Sequence, residues 1–295
     1  MRANAFLLHK KLVSLISVSI LKRMKSIVTA LFVFATFFAG AQRVEKVWET
    51  GAVVATPESV LPVPQKSLLY ISLIDGTPWG SDGKGGVGRM KMDGTGYDST
   101  WITGLHAPKG MGLFKNRLYV ADISEVIVID VKKGKIEKRI PVEGASGLND
   151  ITISDKGVVY VSDSKTARIW QLRKDVPVLY LENMQGVNGL RAVGTDLWIA
   201  SGKSFIKADA KKTITRLAEL SQGGDGIEPV GNGDFLVSSW GGYLFYVSAS
   251  GKVTTLLETH GDKKNIADIG YDPVKRLIYI PTFFANTVSV YRLVL

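Results

Sequence analysis

Short stretches of alternating apolar and polar residues return at a nearly constant interval along most of the chain. An aromatic residue marks the clearest stretch of each repeat. These residues are Tyr70, Tyr119, Tyr160, Trp198, Phe235 and Tyr279, and successive members are 49, 41, 38, 37 and 44 residues apart. A period of roughly 40 residues, with room for four short strands per repeat, is typical of β-propeller blades. The pattern predicts an all-β fold, a six-bladed β-propeller, and its best helix candidate, Leu217 to Leu220, is only about one turn long.

The same pattern indicates where the propeller begins and how its ring closes. We expect residues 58–295 to form the six blades, with the strand around Ser67 to Ser72 as an inner strand of the first blade. The chain ends just after the third strand of the last blade, which therefore needs a strand from elsewhere. Residues 42–57 contain alternating Val and Trp positions between Arg43 and Val54, and we expect this N-terminal segment to close the last blade.

Residues 1–41 have the character of an export signal. Met24 opens a short cationic region, Ile27 to Phe38 are mostly apolar, and Ala39-Gly40-Ala41 fits a cleavage site with small residues. The apolar stretch is short for an ordinary membrane-spanning helix. We predict that residues 1–41 are a signal peptide with Met24 as the true start. A longer targeting segment is the alternative. The mature protein is expected to be periplasmic or extracellular, with no membrane attachment after cleavage.

The net charge narrows the choice of partners once this leader is set aside. The chain has 37 Lys and Arg against 27 Asp and Glu, and six of the basic residues lie in residues 1–41, which contain no acid. That leaves 31 basic against 27 acidic residues, a net charge of only +4. The remaining chain also has no run of basic residues interleaved with aromatics, so we predict no nucleic-acid partner. The absence of cysteine excludes a disulfide framework.

The repeat makes it possible to compare equivalent positions in different blades. The innermost strands of a propeller start near its axis, so residues at those starts should converge although they are far apart in sequence. We call the predicted set the axial column: Glu58, Lys109, Asn149, Asn188, Asp225 and Ala267. Four of these six residues carry side-chain oxygen ligands. A buried carboxylate has to be paired with a cationic side chain or bound to a cation, so the axial column is a candidate site.

Two interpretations of the axial column are open. In the first, Glu58, Asn188 and Asp225 bind a divalent cation, and all-oxygen ligands favour Ca²⁺ or Mg²⁺. In the second, Lys109 neutralises one carboxylate and water fills the channel. One lysine does not balance two carboxylates, which favours the cation. A zinc site built from histidine is disfavoured, because the mature chain has only two histidines and a catalytic zinc usually has three protein ligands.

Loops that follow the second strand of each blade should lie above the same end of the channel. The candidates in these loops are Trp79, Asp122, Asp163, Lys203, Trp240, Phe283 and Phe284. Trp79 and Trp240 are predicted to stack on a substrate, although aromatic residues also serve as packing between blades. His106, close to Lys109 in sequence, is either a proton shuttle or an ordinary loop residue.

The order and spacing of these motifs resemble the regucalcin and gluconolactonase family, also called senescence marker proteins, whose members are six-bladed propellers. The resemblance covers about Glu58 to Leu293. The matching segments are Glu58, Asn149-Asp150, the turn Asp155-Lys156-Gly157, Val187-Asn188-Gly189-Leu190 and Gly224-Asp225-Gly226-Ile227. The resemblance implies that Glu58, Asn188 and Asp225 ligate the metal, most simply Ca²⁺. It also implies that Asn149 contacts the substrate or a water on the metal.

The chemistry implied by the resemblance is lactone hydrolysis, with Asp225 as the catalytic residue and Asn149 beside the substrate. From their positions in the repeat, Lys109, Trp79 and Trp240 are also predicted to bind the substrate. One position departs from the family. Sugar-lactone enzymes have an arginine two residues before the asparagine, whereas this chain has Gly147, and Lys109 would have to supply the positive charge. The sequence therefore favours a secreted, calcium-dependent hydrolase acting on a lactone or small ester.

Two other functions remain compatible with the sequence. A non-catalytic secreted propeller would bind a small ligand or a protein partner through the loops at the channel face. A redox enzyme with a bound quinone is disfavoured, because no basic cradle for such a cofactor surrounds the axial column.

Overall fold

Six four-stranded antiparallel sheets, arranged as the blades of a propeller, make up the part of the chain that the computed structural model describes, residues 42–295. The predicted six-bladed β-propeller is confirmed. Within these residues there is no α-helix, only three short 3₁₀ turns, and no helix is long and apolar enough to cross a membrane. The predicted signal peptide lies outside the described residues.

The strands follow one another in chain order within the first five blades. Blade one contains β2 (Pro57–Val63), β3 (Leu68–Leu73), β4 (Gly85–Lys91) and β5 (Asp98–Leu105). Blade two contains β6 (Pro108–Phe114), β7 (Arg117–Asp122), β8 (Glu125–Asp130) and β9 (Lys135–Pro141), and blade three contains β10 (Leu148–Ile153), β11 (Val159–Asp163), β12 (Arg168–Arg173) and β13 (Val176–Leu181). Blade four contains β14 (Val187–Val193), β15 (Asp196–Ser201), β16 (Ser204–Ala208) and β17 (Ile214–Glu219), and blade five contains β18 (Ile227–Gly231), β19 (Asp234–Ser239), β20 (Tyr243–Val247) and β21 (Val253–Glu258).

Blade six is closed by the N-terminal strand. It contains β22 (Gly270–Asp272), β23 (Leu277–Pro281) and β24 (Val288–Val294), and β1 (Arg43–Glu49) pairs with β24 as its outermost strand. Trp48 of β1 packs edge-on against Tyr279 of β23, with the ring centroids 6.4 Å apart. Residues from both ends of the described chain therefore share one sheet, which closes the ring of blades.

The first strand of each blade surrounds the axis, since these strands contact one another from blade to blade. The stretch around Ser67 to Ser72, predicted as an inner strand, belongs to β3, the second strand of blade one, and the innermost strand is β2. The best helix candidate of the sequence, Leu217 to Leu220, is not helical: its residues up to Glu219 end β17, because pairing with β16 satisfies their backbone groups.

Packing between blades uses the aromatic residues that mark the repeat. Trp198 and Phe205 of blade four stack at 5.3 Å between centroids, and Phe235 of blade five lies 4.4 Å from Trp198. Such contacts are the ordinary use of aromatic residues in this fold, in the layers between neighbouring sheets.

Candidate functional site

A cavity of about 340 Å³ lies where the first strands of the blades begin. Its lining consists of Glu58, Pro78, Trp79, Lys109, Asn149, Asn188, Asp225, Trp240, Phe283 and Phe284. Five of the six predicted axial-column residues therefore share one cavity. Two larger clefts, of about 540 and 750 Å³, contain no axial-column residue.

Ala267, the sixth member of the axial column, does not reach the cavity lining. It is fully buried in a small apolar cluster with Ile74, Ala107 and Phe283. A small side chain is needed here because Phe283 of the same blade occupies the adjoining space. Blade six therefore contributes aromatic surface to the cavity in place of a polar ligand.

Irregular strand pairing directs the polar side chains of the axial column toward the cavity. In β2, β6, β10 and β14 the register with the second strand shifts by one residue. The shift falls in each strand within two residues, of which the first is the axial-column residue: Glu58, Lys109, Asn149 and Asn188 respectively. A β-bulge of this kind re-aims the side chain at the bulged position. Four blades thus use the same local device to direct one polar side chain toward the axis.

Blades four and five approach each other closely beside two axial-column residues, Asn188 and Asp225. Gly189 follows Asn188, and a Cβ atom at Gly189 would lie 1.7 Å from the carbonyl oxygen of Asp225. Only glycine permits this approach. The Asn-Gly sequence of the repeat therefore serves interblade packing, and it brings Asn188 next to Asp225.

Some polar atoms of the site are buried and have unsatisfied hydrogen-bonding capacity. Glu58 and Asp225 are 5% and 3% exposed. Glu58 Oε2 and Asn188 Oδ1 have no hydrogen-bond partner among the described residues. Leaving such atoms unpaired is costly, so each of them calls for a ligand.

The carboxylates of the site hold protons more tightly than usual. Burial is the main cause that raises the pKa of Asp225 to about 8, with a further rise from Asp268, while Lys109 and the facing Asn188 amide oppose it. Burial also raises the pKa of Glu58 well above its usual value, in spite of Lys109. Both shifts mean that two carboxylates and one lysine are an unfavourable set without a further positive charge.

Lys109 connects the axial column to the long loop of blade one. Its ammonium group donates to the carbonyl oxygen of Pro78 at 2.7 Å and lies 4.3 Å from the ring centroid of Trp79. Burial lowers the pKa of Lys109, and the nearby Glu58, Asp122 and Asp225 carboxylates counteract this. The lysine thus holds the Trp79 loop over the cavity.

Lys165 is a second cation at this mouth, and the sequence analysis did not identify it. Its ammonium lies 4.8 Å from the Trp79 ring centroid. Its stem passes over Gly147, where a Cβ atom would lie 2.6 to 3.0 Å from the Cβ, Cγ and Cδ atoms of Lys165. Gly147, the position that departs from the family pattern, therefore leaves room for a lysine from the loop after β11. In the sequence, the only indication of this lysine is the glycine at position 147.

Asn149 is fixed by its neighbours in the same cavity. Its amide NH₂ donates to Ser164 Oγ at 2.9 Å, and that hydroxyl donates to the carbonyl oxygen of Val187 at 2.7 Å. The amide plane is thus held by a contact that crosses from blade three to blade four. This arrangement is suitable for orienting a ligand in the cavity.

Three other loop candidates, Asp122, Asp163 and Lys203, lie outside the cavity lining, and the two aspartates bind backbone N–H groups. Asp122 accepts the backbone N–H groups of His106 and Ala107, and Asp163 accepts those of Ser146, Lys165 and Thr166. Neither aspartate lines the cavity, and neither does Lys203.

His106 is also outside the cavity lining. Its Nδ1 atom accepts the backbone N–H of Gly83, so it tethers the long loop of blade one. The sequence interpretation of an ordinary loop residue describes it better than that of a proton shuttle.

A second layer of charge lies deeper along the axis, and the sequence analysis did not predict it. Asp150 accepts the N–H of Leu190 at 2.6 Å, Ser59 Oγ donates to Asp268 at 2.5 Å, and Arg191 pairs with Glu228 at 3.1 Å. Asp150, Ser59 and Asp268 each follow an axial-column residue directly in sequence. Comparing the positions that directly follow the axial column in the repeat would have identified these three polar residues.

The polar side chains Glu58, Asn188 and Asp225 of the cavity fit a hard divalent cation. They offer two carboxylates and an amide oxygen, and calcium prefers oxygen ligands of these types. Two of these atoms, Glu58 Oε2 and Asn188 Oδ1, have no hydrogen-bond partner in the described part of the chain. Three protein ligands would leave positions for water and a substrate oxygen. No group of three or more His, Cys, Asp and Glu side chains arranged for a metal occurs among residues 42–295, so the amide of Asn188 is essential to this set.

Comparisons with known proteins identify relatives by fold. No protein-family profile and no curated protein matches the chain. A gluconolactonase from Xanthomonas campestris superposes with a TM-score of 0.66 at 15% identity, covering 86% of this chain and 90% of that one. A second protein described as a gluconolactonase has a TM-score of 0.64 at 13% identity over 88% and 95% of the two chains.

A protein with a different activity has a fold that is about as similar to this chain as the folds of the gluconolactonases are. A catalytically inactive variant of virginiamycin B lyase from Staphylococcus aureus, determined with quinupristin, has a TM-score of 0.61 at 13% identity, covering 86% of this chain and all of that one. Identities this low establish the architecture alone. The chain is a six-bladed β-propeller with the fold found in gluconolactonases and in virginiamycin B lyase.

Proposed function

We propose that the protein is an exported, calcium-dependent hydrolase that opens a lactone or cleaves a small ester. The observation that carries the proposal is a pair of buried oxygen atoms in the same cavity as Asp225, Glu58 Oε2 and Asn188 Oδ1, which have no hydrogen-bond partner within residues 42–295. The export signal expected at residues 1–41 supports a periplasmic or extracellular setting, where calcium is available.

Glu58, Asn188 and Asp225 would hold the cation, which when bound would polarise the ester carbonyl as a Lewis acid. Asp225 acts as the base. Its carboxylate takes a proton from the attacking water while the water oxygen bonds to the acyl carbon. The bond from the acyl carbon to the ester oxygen then breaks, and the proton passes to the departing oxygen. A lactone thereby becomes a single hydroxy acid.

The remaining polar groups of the cavity position the substrate. Asn149, whose amide is held by Ser164, offers an oriented hydrogen-bonding group beside the reacting ester. Lys109 and Lys165 place two positive charges near Trp79, where they favour the carboxylate that forms. These charges stand where a family arginine is replaced by Gly147.

Hydrolysis is favoured over a lyase reaction that depends on histidine. The inactive lyase variant among the neighbours has a histidine replaced by alanine. In the described part of this chain neither histidine lines the cavity, because His106 tethers a loop and His260 stacks on Tyr243 at 5.3 Å.

The first test is calcium binding. Ca²⁺ titrated into chelator-treated protein should give one saturable calorimetric binding event, and this event should be lost in Asp225→Asn and in Glu58→Gln. Asp155→Asn, an exposed carboxylate of the turn after β10, is the matched control and should bind as the unchanged protein does. A panel of lactones followed by acid release should then show turnover that is abolished by chelator.

The outcomes separate this proposal from its alternative. Absence of calcium binding, together with an unchanged melting temperature in chelator, would overturn the metal site. Calcium binding without turnover of any lactone or small ester would favour a propeller that binds a ligand without transforming it.

A further inference from the structure

The exposed aromatic side chains of this protein converge on one cavity. In residues 42–295 three aromatic side chains are more than a third exposed: Trp79 at 37%, Trp240 at 45% and Phe284 at 58%. All three line the cavity that contains Glu58, Asn188 and Asp225. The other highly exposed apolar residues are aliphatic and lie elsewhere. Aromatic surface left in water at a cavity mouth marks a place where a ligand binds.

Trp240, Phe283 and Phe284 form what we call the aromatic cluster. The ring centroid of Trp240 lies 5.6 Å from that of Phe283 and 6.0 Å from that of Phe284, and the two phenylalanine rings lie 4.7 Å apart, all edge to face. Phe283 is only 5% exposed and packs with Ala267 beneath the surface. A buried anchor thus holds two exposed rings in fixed positions.

The turn that presents the aromatic cluster is held in a conformation that is unusual for its residues. Phe283 has φ of +50°, a left-handed value that is rare for a bulky side chain. Thr282 Oγ1 accepts the N–H of Thr287 at 3.0 Å, and Asn286 Oδ1 accepts the N–H of Thr56 at 2.9 Å. Backbone strain that the surroundings maintain in this way is typical of ligand-binding positions.

The lining offers little to a polyhydroxylated substrate. Apart from the three metal-ligand residues, its polar side chains are Lys109 and Asn149, and the rest is Pro78, Trp79 and the aromatic cluster. The hydroxyl groups of a sugar ring would be desolvated against these rings without enough partners. An alkyl or aryl group would instead gain from burial there.

We propose that the aromatic cluster binds the non-reacting part of the substrate, and that this part is an aryl or alkyl group. The substrate class is therefore a small lactone or ester with an apolar substituent, in place of a polyhydroxylated sugar lactone. This inference rests on the proposed function and specifies its substrate.

The test compares apolar and sugar lactones on the calcium-loaded protein. The value of kcat/KM for dihydrocoumarin and for γ-nonalactone should exceed that for glucono-δ-lactone by about a hundredfold. Trp240→Ala and Phe284→Ala should each reduce this preference about tenfold, mainly through KM for the apolar lactones. Val274→Ala, at an apolar side chain that is 88% exposed and outside the cavity lining, is the matched control and should leave the preference unchanged.

A binding measurement keeps the inference separate from catalysis. The ring-opened product of dihydrocoumarin, 3-(2-hydroxyphenyl)propanoate, should bind the calcium-loaded protein and quench its tryptophan fluorescence, with affinity reduced about tenfold in Phe284→Ala. If it binds in this way while no lactone is turned over, the apolar subsite stands and the proposed hydrolysis fails. A higher kcat/KM for glucono-δ-lactone than for the apolar lactones would overturn the inference. So would Trp240→Ala and Phe284→Ala variants that keep both the preference for apolar lactones and the affinity for the product.

Discussion

At the scale of single residues, the site depends on side chains whose polar atoms the protein itself leaves free. In the part of the chain that the structure describes, Glu58 Oε2 and Asn188 Oδ1 are buried without hydrogen-bond partners, whereas the neighbouring Asn149 amide is held by Ser164. The first two are therefore suited to bind a cation, and the third is suited to orient a substrate. The difference between these roles comes from hydrogen bonding, since all three residues occupy equivalent positions of the repeat.

Gly147 and Lys165 act together at the mouth of the cavity, where Lys165 passes over the glycine and approaches Trp79. The glycine has no left-handed φ, so the space it leaves for the Lys165 stem is the reason for its presence. We expect Gly147→Ala to displace Lys165 from Trp79 and to weaken binding of 3-(2-hydroxyphenyl)propanoate about fivefold, the value of one partly exposed cation–π or ionic contact. Fluorescence titration measures the change.

Coupling between the two residues provides the control. Lys165→Met should weaken binding by a similar factor, and adding Gly147→Ala to it should cause no further loss. Lys203→Met, at the corresponding loop of the next blade but outside the cavity lining, should have no effect. Additive losses in the double variant would show that Gly147 acts through something other than Lys165.

At the scale of strands and blades, one partly buried carboxylate, Glu49, ties β1 to blade six and to the segment before it. Glu49 accepts from Lys264 Nζ at 2.6 Å, from Thr287 Oγ1 at 2.8 Å and from Lys46 Nζ at 2.5 Å. Burial alone would raise the pKa of Glu49, but these hydrogen bonds outweigh it and lower the pKa to about 2. The carboxylate thus stabilises the folded state in its ionised form.

We expect Glu49→Gln to lower the free energy of unfolding at pH 7 by about 2 kcal/mol, because charged hydrogen bonds to two lysines are lost. Since the pKa of Glu49 is lower in the folded than in the unfolded chain, its contribution is complete above about pH 4.5 and disappears as the pH falls toward 2. Denaturant unfolding at pH 7 and pH 3 should therefore show a larger difference between the two proteins at pH 7.

Glu45→Gln is the matched change on the same strand. Glu45 pairs with Arg43 at 2.8 Å, but its side chain is half exposed, so its removal should be almost silent. Equal effects of the two substitutions would mean that β1 is held by its backbone pairing alone.

At the scale of the whole molecule, the repeat determines how much the sequence could predict. Six aromatic residues at a spacing of about 40 are enough to assign the blades, and the blades place five residues of the axial column in one cavity. Lys165 could not be predicted, because its approach depends on a gap above Gly147 in three dimensions. Ala267 was misplaced for the same reason, since the space beside it belongs to Phe283.

The interior of the propeller carries more negative than positive charge along its axis. Buried carboxylates face this region from four blades, and the cations beside them in the described residues are the buried Lys109 and the partly exposed Arg191. The carboxylates are Glu58, Asp150, Asp225, Glu228 and Asp268. Burial is the first cause that raises the pKa of Glu228 to about 7 and that of Asp268 to about 6, although Arg191 opposes both shifts.

This charge imbalance predicts how stability depends on pH when no cation is bound. A carboxyl group with a higher pKa in the folded than in the unfolded chain binds its proton more tightly when folded. Its contribution to stability is therefore lost as the pH rises from the unfolded value, about 4, to the folded value. In chelator the melting temperature should fall by roughly 5 °C or more between pH 5 and pH 8, since about 1 kcal/mol corresponds to a few degrees in a protein of this size.

Two changes should reduce the fall in melting temperature between pH 5 and pH 8: binding of Ca²⁺ and removal of one buried carboxylate. Ca²⁺ should raise the melting temperature more at pH 8 than at pH 5, because the deprotonated site binds it more tightly. Glu228→Gln should flatten the slope in chelator, because Glu228 no longer ionises between pH 5 and pH 8, whereas Asp155→Asn at an exposed turn should leave it unchanged. A melting temperature in chelator that stays constant or rises over this range would show that Lys109 and Arg191 already balance the axial carboxylates.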